Sequence, residues 1–287
     1  MATTMASLVR DIRNLVEDRP ASTQLNGAIS SATATTMTVD DAKLVRAGVV
    51  YEFDDGGATG AELVLSDSAG TVTPTIRRGW EGSTAVASHA DNLVIWVDPL
   101  YRYNKIMLAI NKVLNTDLLP HLYEIVEHEV TSSTTANSTY VSPAAACEFI
   151  LNIYQNTSSV HNTPDYLDHF EQYRNVDTDL YATGKYFRVF GGTVDGTTVF
   201  YVNCAHPLGA TTLGDGQADA VRYLAAAHLL EWGEPRTAAN QNERRVQVGQ
   251  RAGLARYFRE EGKAMLKREA AKLRHLAPPR REWFRRR

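Results

Sequence analysis

Residues that carry chemistry by themselves are scarce in this chain. Two cysteines among 287 residues, Cys147 and Cys204, are too few for a disulfide framework or a zinc site. Both stand in apolar, strand-like surroundings and are expected to be buried, reduced thiols in a protein made in a cytoplasm. No apolar run approaches the roughly twenty residues needed to span a bilayer, so no membrane partner is expected. The opening stretch, MATTMASLVRDIRNLVEDRP, reaches an acidic residue at Asp11 and has no apolar core followed by a small-residue cleavage site, so it does not read as a secretory signal. GxSxG, CxxC, HExxH and Walker sequences are all missing, which removes the commonest signatures of nucleophilic, redox, metalloprotease and nucleotide chemistry. The expectation is a binding or structural protein: not an enzyme, with no catalytic residues, no cofactor and no metal.

Three segments come close to a motif and fall short. Gly214-Asp215-Gly216 follows a strand-like run and opens a helix, but the third glycine position holds Asp219, and Asp215 would repel a pyrophosphate. Helix capping explains it better. Asn175, Asp177 and Asp179 alternate like the start of a calcium loop, yet Leu180 stands where the sharp turn demands glycine and Tyr186 where the closing glutamate belongs. His121 and His128 lack the four-residue spacing of a helical zinc pair.

Hydrophobic content of 44% and charged content of 22% are ordinary for a soluble globular protein, and the length suggests about two domains. The net charge of -3 hides a strong asymmetry: residues 244–287 hold 15 Lys and Arg against 4 Asp and Glu, leaving 15 against 29 in the rest. An acidic body with a basic tail indicates an interaction arm.

The chain is organised around DPLYRYNKIMLAINKVLNTDLLP, Asp98 to Pro120. Tyr103, Ile106, Met107, Ile110, Val113, Leu114 and Leu118 recur at helical spacing, which makes them a packing face, with Arg102, Lys105, Asn111, Lys112 and Asn115 opposite. Asp98 is the expected N-cap, Pro99 the first helical residue and Pro120 the stop. Residues 1–20 form a first helix on the stripe Leu8, Ile12 and Leu15, with Arg10, Arg13, Glu17 and Asp18 off it. Residues 21–98 read as a compact antiparallel β-module with strands at 24–29, 35–39, 49–53, 62–66, 71–78 and 93–97. Residues 99–120 are the central helix. Residues 121–210 read as a second, sandwich-like β-module with strands at 126–130, 147–154, 166–173, 185–190 and 198–203. Residues 211–277 carry two helices, the second running from Thr237 or Asn240 to about Leu276, with Gly249, Gly253 and Gly262 allowing close approach of another helix. The fold class is thus α+β: a small helical bundle hub with two antiparallel β-rich insertions and a long C-terminal helix.

Within the first module, Arg77-Arg78-Gly79-Trp80-Glu81-Gly82-Ser83-Thr84-Ala85, with His89 following, admits a basic-aromatic nucleic-acid loop. A structural turn, with the glycines relieving strain and His89 bonded locally, is the better account. Eight of the thirteen tyrosines lie between Tyr123 and Tyr201. They admit a sugar-binding face, against the plainer role of strand residues with a wet edge.

The element order, the Arg77–Ala85 turn with His89, and Val97-Asp98-Pro99-Leu100-Tyr101-Arg102-Tyr103 through Leu114 resemble the head-to-tail adaptor (connector) proteins of tailed bacteriophages. The resemblance covers most of the chain in architecture, but in wording only those two stretches; two sizeable β-modules depart from the family pattern. It implies a structural virion protein of the neck, assembled in the host cytoplasm as a homo-oligomeric ring, commonly a dodecamer. Such a ring would bind the portal and the next neck or tail protein, and DNA would pass through it without sequence-specific binding during genome ejection. Beyond Pro278-Pro279, the tail Arg280, Arg281, Trp283, Phe284, Arg285, Arg286 and Arg287 is the expected portal-binding segment, because Trp and Arg are favoured interface anchors. A phage tail carbohydrate-binding module is the alternative; an enzyme acting on cell wall would need an acid pair that the sequence does not reveal.

Overall fold

Reciprocal capping by Thr4 and Ser7 starts the first helix, α1 (Met5–Val16): each side chain accepts from the other's amide, at 3.1 and 2.9 Å. The computed structural model describes residues 3–17, 21–56, 60–131, 139–141, 147–156, 164–166, 170–174, 185–189, 199–232 and 241–274. Leu8, Val9 and Ile12 are fully buried on α1, and so is Arg13. Arg13 and Glu17, expected on the outer face, are therefore interior residues. Helical periodicity assigns charge to solvent and does not register a buried partner elsewhere in the chain.

The first sheet contains β1 (Ser22–Gln24), β2 (Val50–Phe53), β3 (Leu63–Ser66), β4 (Ile76–Arg77) and β5 (Val94–Val97), antiparallel in the order β1-β5-β2-β3-β4. Tyr51 stands opposite both Val64 and Val97, and with Leu25, Phe53 and Ile95 these residues belong to one apolar cluster. Of the runs at 24–29 and 35–39, expected as strands, only Gln24 joins a named strand, β1, and the rest is held through the isolated bridges Leu25 to Val39, Ile29 to His89 and Thr36 to Thr75. Gly27, at φ +94°, turns the chain before a ladder can extend.

The central helix begins later than expected. Asp98 has φ +46° and its amide donates to the Val50 carbonyl at 2.8 Å, which prolongs sheet pairing, and Pro99 also precedes the helix. Helix α2 spans Tyr103–Lys112 and continues as a π-helical segment, Val113–Leu118. Tyr103, Ile106, Ile110, Val113 and Leu114 are buried, Met107 is partly exposed, and Ala109 completes the inner face.

Helices α3 (Asp215–Trp232) and α4 (Gln241–Arg274) run antiparallel, with Tyr223 against Phe258 and Glu231 paired to Arg259. A Cβ on Gly262 would come within 2.7 Å of Leu224 Cγ, so this glycine permits the close approach, whereas Gly249 and Gly253 face open space. Arg222 of α3 pairs with Asp11 of α1 at 2.9 Å. Met1–Asp117 and Gly209–Arg287 form one unit, so the first sheet and the helices belong together.

Leu118–Leu208 form the second unit. Its strands are β6 (Glu124–Thr131), β7 (Thr139–Val141), β8 (Phe149–Asn156), β9 (Pro164–Tyr166), β10 (Phe170–Arg174), β11 (Lys185–Val189) and β12 (Val199–His206). They build two antiparallel sheets, β6-β12-β8-β9 and β10-β11-β7. The run expected as one strand over 166–173 is divided between β9 and β10, in different sheets, and β7 has no counterpart among the expected strands. Cys147 and Cys204 are joined in a disulfide, which corrects the expectation of reduced thiols. Pairing of β8 with β12 sets Ile150 opposite Cys204 and brings the two cysteine Cα atoms to 5.3 Å across a sequence separation of 57. The protein is α+β, and among the described residues no helix is long and apolar enough to cross a membrane.

Candidate functional site

A buried charged node ties α1 and α2 to the first sheet. Arg13 pairs with Glu52 of β2, their side chains 0% and 1% exposed, and its guanidinium lies 4.8 Å from the Trp96 ring centroid. Glu52 also accepts the Tyr103 amide at 2.7 Å, while Glu17 accepts the Tyr101 amide at 2.8 Å. The start of α2 thus has carboxylates drawn from distant sequence in place of a local cap, where free amides and the helix dipole favour negative charge. Burial nevertheless raises the Glu52 pKa above its ordinary value, outweighing Arg13 and the Tyr103 amide. Burial also pushes the Tyr103 phenol up to about 12, with Asp54 and Glu52 adding to the effect. This node has the character of a structural tie.

The Arg77–Ala85 segment is a turn held from beneath by Glu62. Gly79 and Gly82 have φ of +62° and +79°, and Glu81 between them has +53°. A Cβ on Gly79 would lie 3.0 Å from the Ser83 carbonyl. Arg78 grips Glu62 through two nitrogens, one at 2.6 Å, and donates to the carbonyls of Ser31 and Val86, both at 2.7 Å. With its side chain only 6% exposed, Arg78 is committed to the fold and is not presented to a phosphate. His89 lies over Phe53, ring centroids 4.0 Å apart, with Nδ1 2.6 Å from Asp55 and Nε2 2.9 Å from Glu62. Burial raises the Glu62 pKa, but hydrogen bonds from Arg78, His89 and the Val86 amide, with the Arg78 charge, hold it down to about 2. Burial lowers the His89 pKa, and the two carboxylates outweigh it and raise the net value.

The second unit gathers a different set of groups. His128 stands opposite Val202, and Val126 opposite Cys204, so the alternation of β6 and β12 puts His128, Cys204 and His206 on one face. His128 Nε2 and His206 Nε2 are 2.8 Å apart, and the ligand atoms of His128, Cys204 and His206 all lie within 4.8 Å of one another. Cys147 is bonded to Cys204, and both cysteines are fully buried. Spacing along the sequence sets His128 against His121 and leaves His206 out. The signal is the alternation Phe200, Val202, Cys204, His206, which needs the strand register before it points at His128.

No family model, curated protein or solved structure matches this chain. Its function therefore rests on these residues alone.

Arg280, Arg281, Trp283, Phe284, Arg285, Arg286 and Arg287 lie outside the described residues, as do Asn175, Asp177 and Asp179. At Gly214, the amide donates to the Gln217 side chain at 3.0 Å and the carbonyl accepts from the Ala218 amide at 2.8 Å. That arrangement is a helix start. On α4, Ala255, Phe258, Gly262 and Leu266 are buried, while Leu254 and Tyr257 are 40% and 52% exposed beside the open positions Gly249 and Gly253.

Proposed function

We propose that the chain is a structural head-to-tail adaptor of a tailed bacteriophage. In this reading α1 to α4 are the hub, the two groups of strands are insertions, and copies close into a ring. The ring joins the portal to the next neck or tail protein and leaves a channel for DNA. The observation that carries the reading is the outer face of α4, where Leu254 and Tyr257 are exposed next to two glycines at which an added Cβ would meet nothing within 4 Å. Such a face suits a neighbouring helix from a second copy, since small residues admit close approach and apolar residues reward it. The Arg280 to Arg287 tail then docks on an acidic portal groove, with Trp283 and Phe284 as anchors.

Native mass measurement and imaging test both parts. Closed rings are expected for the protein alone or on the portal, and Tyr257→Lys should disperse them. Deleting residues 278–287 should abolish portal capture while the body remains folded, and Trp283→Ala should cost about 2 kcal/mol or more of binding. Monomers in assembled particles, or portal capture indifferent to the deletion, would overturn the reading.

One observation favours carbohydrate binding as a second reading. Tyr154 and Tyr201 stack in parallel, 5.2 Å between centroids, with the Tyr154 hydroxyl bonded to Glu127. An aromatic pair beside a carboxylate is a platform on which a sugar ring could rest. Binding on a glycan array that is lost in Tyr201→Ala would favour this module over the adaptor.

A further inference from the structure

We propose that the His128, Cys147, Cys204 and His206 cluster is a redox-gated zinc site. The disulfide is its closed state, and the reduced pair of thiols completes a Cys2His2 ligand set. This inference is independent of the adaptor reading.

The ligand chemistry is that of structural zinc, which takes four nitrogen and sulfur donors in a tetrahedron. Zinc holds nitrogen at about 2.0 Å and sulfur at about 2.3 Å, which sets tetrahedral donors roughly 3.3–3.8 Å from one another. The observed separations, 2.8 Å between the two Nε2 atoms and at most 4.8 Å within the trio, bracket that range. The fourth donor is adjacent, because Cys147 is bonded to Cys204, although its sulfur is not among the three mutually close ligand atoms. Closing the tetrahedron requires the sulfur pair to open, the Cys147 sulfur to turn toward the imidazoles and the two Nε2 atoms to part by about half an ångström.

The surroundings favour a closed site. Both sulfurs are fully buried, in a cluster with Ile150, Ile153, Phe200 and Val202, while the histidines are half-buried at its border. A metal reaching them would lose its water to the four side chains, which is the condition of a structural site. In the oxidised state both sulfurs are engaged in their mutual bond, and only the two imidazoles remain as strong nitrogen donors of this set.

The balance of the step is simple. A thiol reductant supplies two electrons and two protons to the Cys147–Cys204 bond and is itself oxidised to a disulfide. Zinc then binds two thiolates and releases the two thiol protons. The close contact of the imidazoles requires one Nε2 to donate and the other to accept. Binding therefore needs the donating ring to place its hydrogen on Nδ1, so that both Nε2 lone pairs face the metal.

The full-length protein provides the test. One sample is kept oxidised; another is reduced and freed of reductant without oxygen, and both are titrated with Co2+ and then Zn2+. The reduced protein should take up one equivalent of Co2+, with the visible absorption of tetrahedral cobalt and a thiolate-to-cobalt charge-transfer band. Zn2+ should bleach both and protect the two thiols from alkylation, and the oxidised protein should show neither band. His128→Gln and His206→Gln, at half-buried positions, should each lower zinc affinity by about 100-fold or more, beyond the 10–100-fold cost of losing a hydrogen-bond partner to a ligand. Recovery of the Cys147–Cys204 disulfide after reoxidation shows that each variant retains its fold. A reduced protein without the cobalt bands overturns the site, as does affinity unchanged in both refolded histidine variants. Equal binding by the oxidised protein overturns the redox gate.

Discussion

Arg13 of α1 and Glu52 of β2 form an ion pair whose side chains are almost wholly removed from solvent. Desolvating two charges cancels much of their attraction, which is why Glu52 remains raised in pKa beside a guanidinium. The pair fixes how α1 lies on the sheet, and its loss is asymmetric. Arg13→Met alone should cost about 3–5 kcal/mol, because Glu52 is left buried and unpaired. Adding Glu52→Gln, which still accepts the Tyr103 amide, should recover most of that loss. Urea unfolding of both variants is the check, and a double variant no more stable than the single one would sink the account.

Stability should pass through a pH window set by Glu62 and His89. Glu62, held down to about 2 from 4.5, contributes stability that is present above 4.5 and is lost as pH falls toward 2, on the order of 3 kcal/mol in all. His89, raised above its ordinary 6.5, contributes stability that is present below 6.5 and is lost as pH rises through its folded-state value. Glu52, raised by burial, works in the opposite sense on the acid side. The two groups are bonded to each other, so each variant removes its own limb and weakens the other's. Glu62→Gln should flatten the acid limb of a melting-temperature profile and His89→Gln the alkaline limb; limbs of unchanged slope would contradict this.

Two glycines of α4 should respond oppositely to the same substitution. Gly262→Ala drives a methyl into Leu224, including its backbone nitrogen at 3.1 Å, and should destabilise by about 1–3 kcal/mol. Gly253→Ala meets nothing within 4 Å in a single copy and, in the Tyr257→Lys background where copies do not pack on this face, should stabilise the helix by up to about 1 kcal/mol. Thermal melts of the two variants decide the matter, and shifts of the same sign would mean that the packing of α3 on α4 is misjudged.

What was legible in the sequence was whatever repeats along one element. The buried positions Leu8, Ile12, Ile106, Ile110 and Val113 follow from helical spacing, and the positive-φ glycines of the Arg77–Ala85 turn follow from composition. What was hidden depends on a partner far away in the chain. Arg13 reads as a surface residue until Glu52 is placed beside it, and Asp98 reads as a cap until its amide is found paired to Val50. The cysteines are separated by 57 residues and the two close histidines by 78. Only the register of β6, β8 and β12 brings them together, and periodicity within a strand carries no register.

The division of the first unit into Met1–Asp117 and Gly209–Arg287 also sets an order of events during synthesis. When α1, the first sheet and α2 have left the ribosome, the surfaces that α3 will cover are still bare, because Leu118–Leu208 must be translated first. The Asp11 carboxylate waits for Arg222, and Asp117 for His228. The second unit can complete its own strand pairing in that interval, since all of its residues precede α3. A nascent chain that has emerged only as far as Leu208 would therefore carry a finished second unit and an unfinished first one.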